Sequence, residues 1–427
     1  MLLEQVTKSD IISRGFFPEM LVEKYCVDST RHHNTYRQRS CLSALYSLLN
    51  STGLQRVLIF RPFDAPGLFI IGAEFVLHAP TKQFQFSATG SGRCFCSAVL
   101  RVYGEAAEFE TRYRVLCRPG FTSDYSSLFL TDTSSTELRP DASFSSSSTM
   151  ANYEISAIRL NDGLTVSVPM SSCFLTSATK EHTGPPMSAG MGAAPNRKLA
   201  SEHAIAELIE HDAVALWWHG GRPAGSILLD QDTDYKMKEY RQSVRCGTDT
   251  RKEYFLDVST DIEVPCVVSI SFDQSGQMFA CGSAASSSYL EAMRAAYREM
   301  CQMEYAHYIV RDKIINQGLD NLNVVDLGHI QRASLIKPDN PLFVLDPSTD
   351  EIIDSQVDGN YMQNRIVELD LQLILVNLSE NNSNLTVMKA FVPELQTLCR
   401  DVVTTRLTKI MADTGGGYRS NLGVDLG

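Results

Sequence analysis

Apolar and polar positions along the chain fall into short strand-like runs joined to longer helical stretches. Val57–Phe60 and Leu68–Val76 are β-rich runs, separated by a segment whose two Pro and one Gly (Pro62, Pro66 and Gly67) force a turn. Alternating apolar residues over Tyr153–Val168, around Asn161-Asp162-Gly163, predict a hairpin. Three times the order repeats as an apolar strand, a loop of small residues and then a helix: from Phe84 to about Glu110, from Ser171 through Trp218, and from Val267 to about Asp312. Arg365–Val376 reads as a long strand and Thr386–Val392 as another, and Pro393–Met411 reads as a closing amphipathic helix begun by Pro393. Residues 1–35 read as a helical extension, with a second helix at Cys41–Leu49. A Ser-rich surface excursion occupies 120–150, and a flexible tail follows at 413–427. The body, 36–412, is then one large α/β (α+β) domain.

Composition narrows the class. Lys+Arg number 38 against Asp+Glu 50, giving a net charge of −12, and no long basic run is present. Affinity for a nucleic-acid backbone comes from neutralising phosphates, so nucleic-acid binding is not expected. The longest apolar stretches, such as Leu371–Val376, are far shorter than the ~20 residues that span a bilayer. The start, MLLEQVTKSD, lacks the apolar core of an export signal, and a cytoplasmic location is expected. Eleven cysteines without a CxxC pair read as reduced thiols rather than a zinc site.

The chemistry sits in the three repeated sets. Gly90-Ser91-Gly92 precedes Glu105 and Glu108, Ser188-Ala189-Gly190-Met191-Gly192 precedes Glu207 and Glu210, and Cys281-Gly282-Ser283-Ala284-Ala285 precedes Glu299 and Gln302. A spacing of three puts each pair on one helical face. Carboxylates converging on one cleft raise each other's pKa unless cations join them. Mg2+ suits such a site, because it accepts a few carboxylates and completes its shell with water and phosphate oxygens, which implies a bound nucleotide. Loops of Gly, Ser and Ala let backbone N–H groups approach those phosphates. None of the loops is GxxxxGK[ST], so the nucleotide fold is not that of the P-loop enzymes. The histidines at 32, 33, 203 and 211 lack an HExxH arrangement and read as surface or core residues, and Trp217-Trp218 at the end of an apolar helix reads as packing.

Residues 87–110 resemble the first signature of the YcaO superfamily, a GKG-like loop before a helix bearing ExxER. Residues 188–218 resemble its second, a Gly-rich loop leading to AxxExxERDA, and 282–302 resemble its RAxxExxQ helix through Arg294, Glu299 and Gln302. With weaker echoes such as Phe391-Val392-Pro393-Glu394-Leu395, the resemblance spans about residues 30–400. It implies one large fold of strand–Gly-rich loop–helix units around an ATP cleft. ATP and Mg2+ are the implied cofactors, with Glu105, Glu108, Glu207, Glu210, Glu299 and Gln302 facing the metals. Ser40, Gly90, Gly92, Ser188, Gly190, Asn196 and Arg294 are the implied nucleotide contacts.

Departures from the family pattern are the loop Lys, here Ser91, and the arginines after the two ExxE motifs, here Phe109 and His211. They leave room for altered ATP use or for a chain that works only inside a complex. The implied activity is ATP-dependent activation of peptide backbone amides, cyclodehydrating Cys, Ser or Thr to azolines. Thioamide or amidine formation by the same chemistry, and a noncatalytic scaffold, are the alternatives. The expected partners are a precursor peptide, a leader-recognition subunit resembling the E1/ThiF-like proteins, a flavin dehydrogenase in the same complex and a second copy of the chain.

Overall fold

Three sheets each pass the chain from an edge strand into a long helix. The computed structural model describes residues 2–7, 18–26, 34–51, 53–78, 83–117, 154–174, 188–346, 360–379, 384–399 and 401–426. The excursion expected at 120–150 lies outside these.

The first sheet is antiparallel, in the order β1 (Leu2–Thr7), β2 (Leu54–Phe60), β3 (Phe69–His78) and β4 (Gln83–Gly92). Helices α1 (Pro18–Tyr25), α2 (Asn34–Asn50) and α3 (Phe95–Cys117) share its core, where Leu45, Leu48, Ile59, Ile71, Phe95 and Val99 are buried. Residues 2–7 were expected to be helical, but they pair with β2, whose exposed ladder supplies hydrogen bonds that no local pattern encodes. Ser40 was expected just before a helix starting at Cys41 and instead lies inside α2.

A hairpin of β5 (Glu154–Arg159) and β6 (Thr165–Pro169) turns at Asn161-Asp162-Gly163 as expected. The chain then forms β7 (Met191–Ala194) and α4 (Arg197–Trp218), which Asn196 caps by accepting from the Leu199 N–H. The next sheet holds β8 (Ala224–Gly225), β9 (Arg251–Asp257), β10 (Cys266–Asp273), β11 (Ala280–Ala285) and β12 (Leu345–Asp346), in the order β11-β10-β9-β8-β12. Every residue of β10 but the last is buried, Ser269 and Ser271 included. Helices α5 (Gln231–Arg245) and α6 (Tyr289–Gln317) belong to this unit. They are joined by a buried pair in which Arg245 Nη1 lies 2.7 Å from Glu304 Oε2. Then α7 (Val324–Leu335) and α8 (Tyr361–Glu368) lead to β13 (Ile374–Asn377) and β14 (Thr386–Phe391), which complete the hairpin's sheet in the order β6-β5-β13-β14-β7.

Helix α4 is buried between two sheets. Leu208, Trp217 and Trp218 share one core with Val268, Ile270 and Phe272 of β10 and with Leu375, Met388 and Ala390 of the other sheet. Both tryptophans are fully buried, and their Nε1–H groups donate to the Leu342 and Val424 carbonyls, so they pack as expected.

The long strand expected at Arg365–Val376 is instead the end of α8, a turn through Asp370 at φ 57°, and β13, because Met362 and Ile366 bury at helical spacing. No helix starts at Pro393. Buried Gln396 accepts from Thr404 N and donates to the Val402 carbonyl, holding 393–399 and 401–403 out of helix, and α9 (Thr405–Thr414) begins beyond them. The tail expected to be flexible folds back as α10 (Tyr418–Asn421), where buried Asn421 donates to the Trp218 carbonyl at 2.8 Å. No described helix is long and apolar enough to cross a membrane.

Candidate functional site

The three edge strands β4, β7 and β11 each hold the first acid of the pair on the following helix through a backbone N–H. Thr89 N donates to Glu105 Oε2 at 2.8 Å, Met191 N to Glu207 Oε2 at 3.1 Å, and Ser283 N to Glu299 Oε2 at 3.1 Å. Within each set the donor stands sixteen residues before its acceptor, so one local geometry is built three times.

The second side chain of each pair reaches the next set. Glu108 Oε1 accepts from Ala193 N of β7 at 2.8 Å, Glu210 Oε1 from Ser283 Oγ of β11 at 2.6 Å, and Gln302 Oε1 from Ser91 Oγ of β4 at 3.0 Å. The order runs from the first set to the second, to the third and back to the first. Five carboxylates and one amide thus stand on a closed ring. Close packing brings the helices there: a Cβ at Gly192 would collide with Ala204 N at 2.7 Å and with the Ala200 carbonyl, and one at Gly90 would collide with Ala98 and Val102 backbone.

Burial is the first cause of every shift in the ring. It raises Glu105 to about 7 from the usual 4.5 and Glu108 to about 8, with Glu105 adding to the latter. Glu207 lies well above its usual value through burial and then the charge of Glu108, and Lys389 eases it. Glu210 is raised by burial and eased by Ser283, and Glu299 is raised by burial and by Glu210. The cleft is open enough that Glu207 keeps 31% of its side-chain surface, so water moderates these shifts.

A raised carboxyl favours the folded chain fully below its unfolded pKa and loses that contribution as pH rises through its folded value. The metal-free chain is therefore expected to lose thermal stability between about pH 4.5 and 8, the window from the usual value to that of Glu108. Saturating Mg2+ and ATP should flatten the slope. Melting curves across that range check this, and a flat metal-free profile would contradict it.

Cations face the same acids. Lys389 of β14 is 2% exposed, donates to the Ala189 carbonyl, and is pushed down to about 8 by burial while Glu207 and Glu108 hold it up. Arg112 lies on α3 four residues past Glu108 and within the field of both acids. Burial pushes His211 down to about 4, leaving it neutral, with Nε2 3.8 Å from Glu207 Oε1. His211 Nδ1 and the Arg112 and Arg294 Nε atoms are buried without a hydrogen-bond partner.

Lys389 and Arg112 were missed from the sequence, although each left a signal. One is a lone charge at an inward position of an apolar strand, and the other stands one helical turn from an ExxE acid.

Of the expected nucleotide contacts, Gly90 and Gly92 end β4 against α3, and Ser188 and Gly190 form the turn before β7, where Gly190 has φ +76° and accepts from Ala390 N at 2.8 Å. Asn196 is exposed at the α4 cap. Arg294 pairs with Glu291 at 2.8 Å and lies over the Tyr240 ring. Ser40 sits on a helix that packs against α3, and no hydrogen bond joins it to the ring among the described residues. A cavity of about 440 Å³ along the opposite side of α4, lined by Arg197, Lys198 and Glu202, touches none of the ring acids.

Hard carboxylate oxygens and orphaned buried donors suit a divalent cation with phosphates. Among the described residues no three His, Cys, Asp or Glu side chains form a closed metal cage. Mg2+ does not require one, since it usually keeps water and phosphate oxygens beside one or two carboxylates.

Comparison with known proteins agrees with this geometry. A family model described as YcaO cyclodehydratase, ATP- and Mg2+-binding, matches residues 92–396. A heterocyclase solved in complex with substrate and cofactor is similar at TM-score 0.63 and 15% identity, covering 97% of this chain and 57% of its own. The chain thus spans little more than half the length of that protein. The YcaO of Methanopyrus kandleri, solved with AMPPCP and Mg2+, matches at TM-score 0.55 and 15% identity, over 89% of this chain and 91% of its own. A chain of the E. coli microcin synthetase McbBCD complex matches at TM-score 0.55 and 13% identity, over 81% and 90%. At these identities the likeness is one of fold. No curated protein matches the sequence. With the family model covering well over half of its 427 residues, the chain belongs to the YcaO cyclodehydratase family, whose cofactors are ATP and Mg2+.

Proposed function

We propose that the chain uses ATP to activate peptide backbone amides and closes Cys, Ser or Thr side chains onto them as azolines. The observation that carries this reading is the closed ring of three helix pairs, with Glu105, Glu108, Glu207, Glu210, Glu299 and Gln302 facing one cleft. An amide carbonyl is a poor electrophile and its oxygen a poor leaving group at neutral pH. ATP supplies the phosphoryl group that lets this oxygen depart as phosphate, and Mg2+ neutralises the phosphate charge. In the balanced reaction the substrate hydroxyl or thiol bonds to the preceding carbonyl carbon, the carbonyl oxygen leaves on phosphate, and peptide plus ATP become azoline peptide, ADP and phosphate.

In this reading the ring acids hold the metals, and the end of β4 at Gly90 and Gly92 and the turn at Ser188 and Gly190 bring backbone N–H groups to the phosphates. Ser40, Asn196 and Arg294 contact the nucleotide. Lys389, Arg112 and the orphaned His211 Nδ1 stand where Phe109 and His211 replace the family arginines, and supply donors on that side. The precursor peptide is presented by a leader-recognition subunit resembling the E1/ThiF-like proteins, in a complex that also holds a flavin dehydrogenase or a second copy of the chain. The heterocyclase solved with substrate and the microcin synthetase complex support substrate binding and assembly in a complex.

The test is incubation of the chain and its partner with MgATP and a Cys/Ser/Thr-bearing precursor peptide, read by mass spectrometry and ADP release. Loss of one water per ring with matching ADP is expected. Exchange of oxygen for sulfur when sulfide is supplied points instead to thioamide formation. ATP left intact in the presence of peptide and partner sinks the catalytic reading.

A further inference from the structure

Three thiols converge where the N-terminal helices meet the first strand–loop–helix set. Cys26 Sγ lies 3.2 Å from Cys96 Sγ. Cys41 is fully buried and Cys96 is 6% exposed, whereas Cys26 is half-buried and open to reagents. Neighbouring side chains hold this approach in place. Tyr25 packs on Phe95 at 5.2 Å and on Phe69 at 5.8 Å, so the residues preceding the two cysteines are stacked together. The Tyr25 hydroxyl also donates to Glu4 Oε2 at 3.0 Å, which anchors the end of α1 to β1.

A disulfide places its sulfurs about 2.05 Å apart, so closure of this pair needs a movement of about 1 Å, within reach of side-chain rotation. We propose that Cys26 and Cys96 are a reversible disulfide site, formed by exchange with a low-molecular-weight disulfide.

The roles follow from exposure and contact. Hydrogen bonds from the Cys41 and then the Cys96 thiols stabilise the thiolate on Cys26 and hold its pKa below the ordinary thiol range. Cys26 is therefore the attacking sulfur. It forms a mixed disulfide and releases one small thiol, and the Cys96 sulfur then displaces the second. The two protein thiols lose two electrons and two protons, and the small disulfide is reduced to two thiols. The hydrogen bond to Cys26, and then burial, raise Cys96 to about 11, which suits the resolving partner, protected until the mixed disulfide is beside it.

The bond would fasten α1 to the first turn of α3. Cys96 is five residues past Ser91, which donates to Gln302 and closes the acid ring, so the modification sits at the base of the first acid pair.

The test uses the full chain and oxidised glutathione at about pH 8, near the usual thiol pKa, followed by alkylation and peptide mapping. A Cys26–Cys96 cross-linked peptide, a loss of two free thiols and reversal by dithiothreitol are expected. Cys41→Ser should still form the link, and Cys26→Ser and Cys96→Ser should each abolish it while melting close to wild type in the reduced state. A Cys26–Cys41 link, a stable glutathione adduct at Cys26 with no second step, or an unchanged thiol count in the folded chain would overturn the assignment. These readouts are independent of nucleotide binding, so they stand or fall apart from the proposed function.

Discussion

Replacing Glu207 and Glu210 together by Gln is expected to weaken MgATP binding by at least about 100-fold, or about 2.7 kcal/mol, in calorimetry. Gln keeps the length of Glu and its carbonyl oxygen, so Met191 N and Ser283 Oγ retain their acceptors and the ring can still close. Two of the five ring charges disappear. A divalent cation bound through hard anionic oxygens loses both its ligands and the field that attracts it. Both acids are raised by burial, so the double variant should also melt higher than wild type at pH 8 without metal, because an unfavourable pair of buried charges has been removed. That rise separates lost binding from lost folding. Unchanged MgATP affinity in the variant would remove the metals from this cleft.

Gly192→Ala is expected to destabilise the chain by about 3 kcal/mol or more, because overpacking against backbone leaves no flexible side chain to move aside. A Cβ there meets the Ala200 carbonyl, Ala204 N and His203 Cβ, the last two at 2.7 and 2.9 Å. Relief requires α4 to lift from β7, and α4 carries Glu207 and Glu210. Nucleotide affinity should therefore fall even where the variant remains folded. Gly72→Ala in β3 is the control: nothing lies within 4 Å of its Cβ, so its stability should stay within about 0.5 kcal/mol of wild type. Denaturant unfolding of the two variants side by side checks the contrast. Equal effects would mean that the close helix–strand approach does not set the ring.

The site was more legible than the fold around it. Pairs three apart after small-residue loops are a local signal, since helix periodicity alone puts Glu105 with Glu108 and Glu207 with Glu210 on one face. The three long helices were equally readable, but the small-residue stretches expected to be loops lie largely in the edge strands themselves, with Gly90–Gly92 ending β4, Met191-Gly192 starting β7 and Cys281–Ala285 inside β11, because Gly, Ser and Ala there let each strand pack closely on its helix. Misreadings fell where distant partners decide the conformation. Residues 2–7 form a strand only because β2 offers an unpaired edge. The segments 393–399 and 401–403 are held out of helix by hydrogen bonds to Gln396, and the tail is ordered by its contact with Trp218.

By itself, the amino-acid sequence determined the three acid-bearing helices, the small residues that let them approach their strands, and the family to which they belong, because all of these are properties of residues near one another along the chain. The tertiary structure alone decided that the second member of each pair reaches the next set, closing the circuit from Glu108 to Ala193, Glu210 to Ser283 and Gln302 to Ser91. It alone also brought Lys389 and Arg112 against those acids. Contacts between residues tens to hundreds of positions apart depend on how the sheets pack, and no local spacing encodes that.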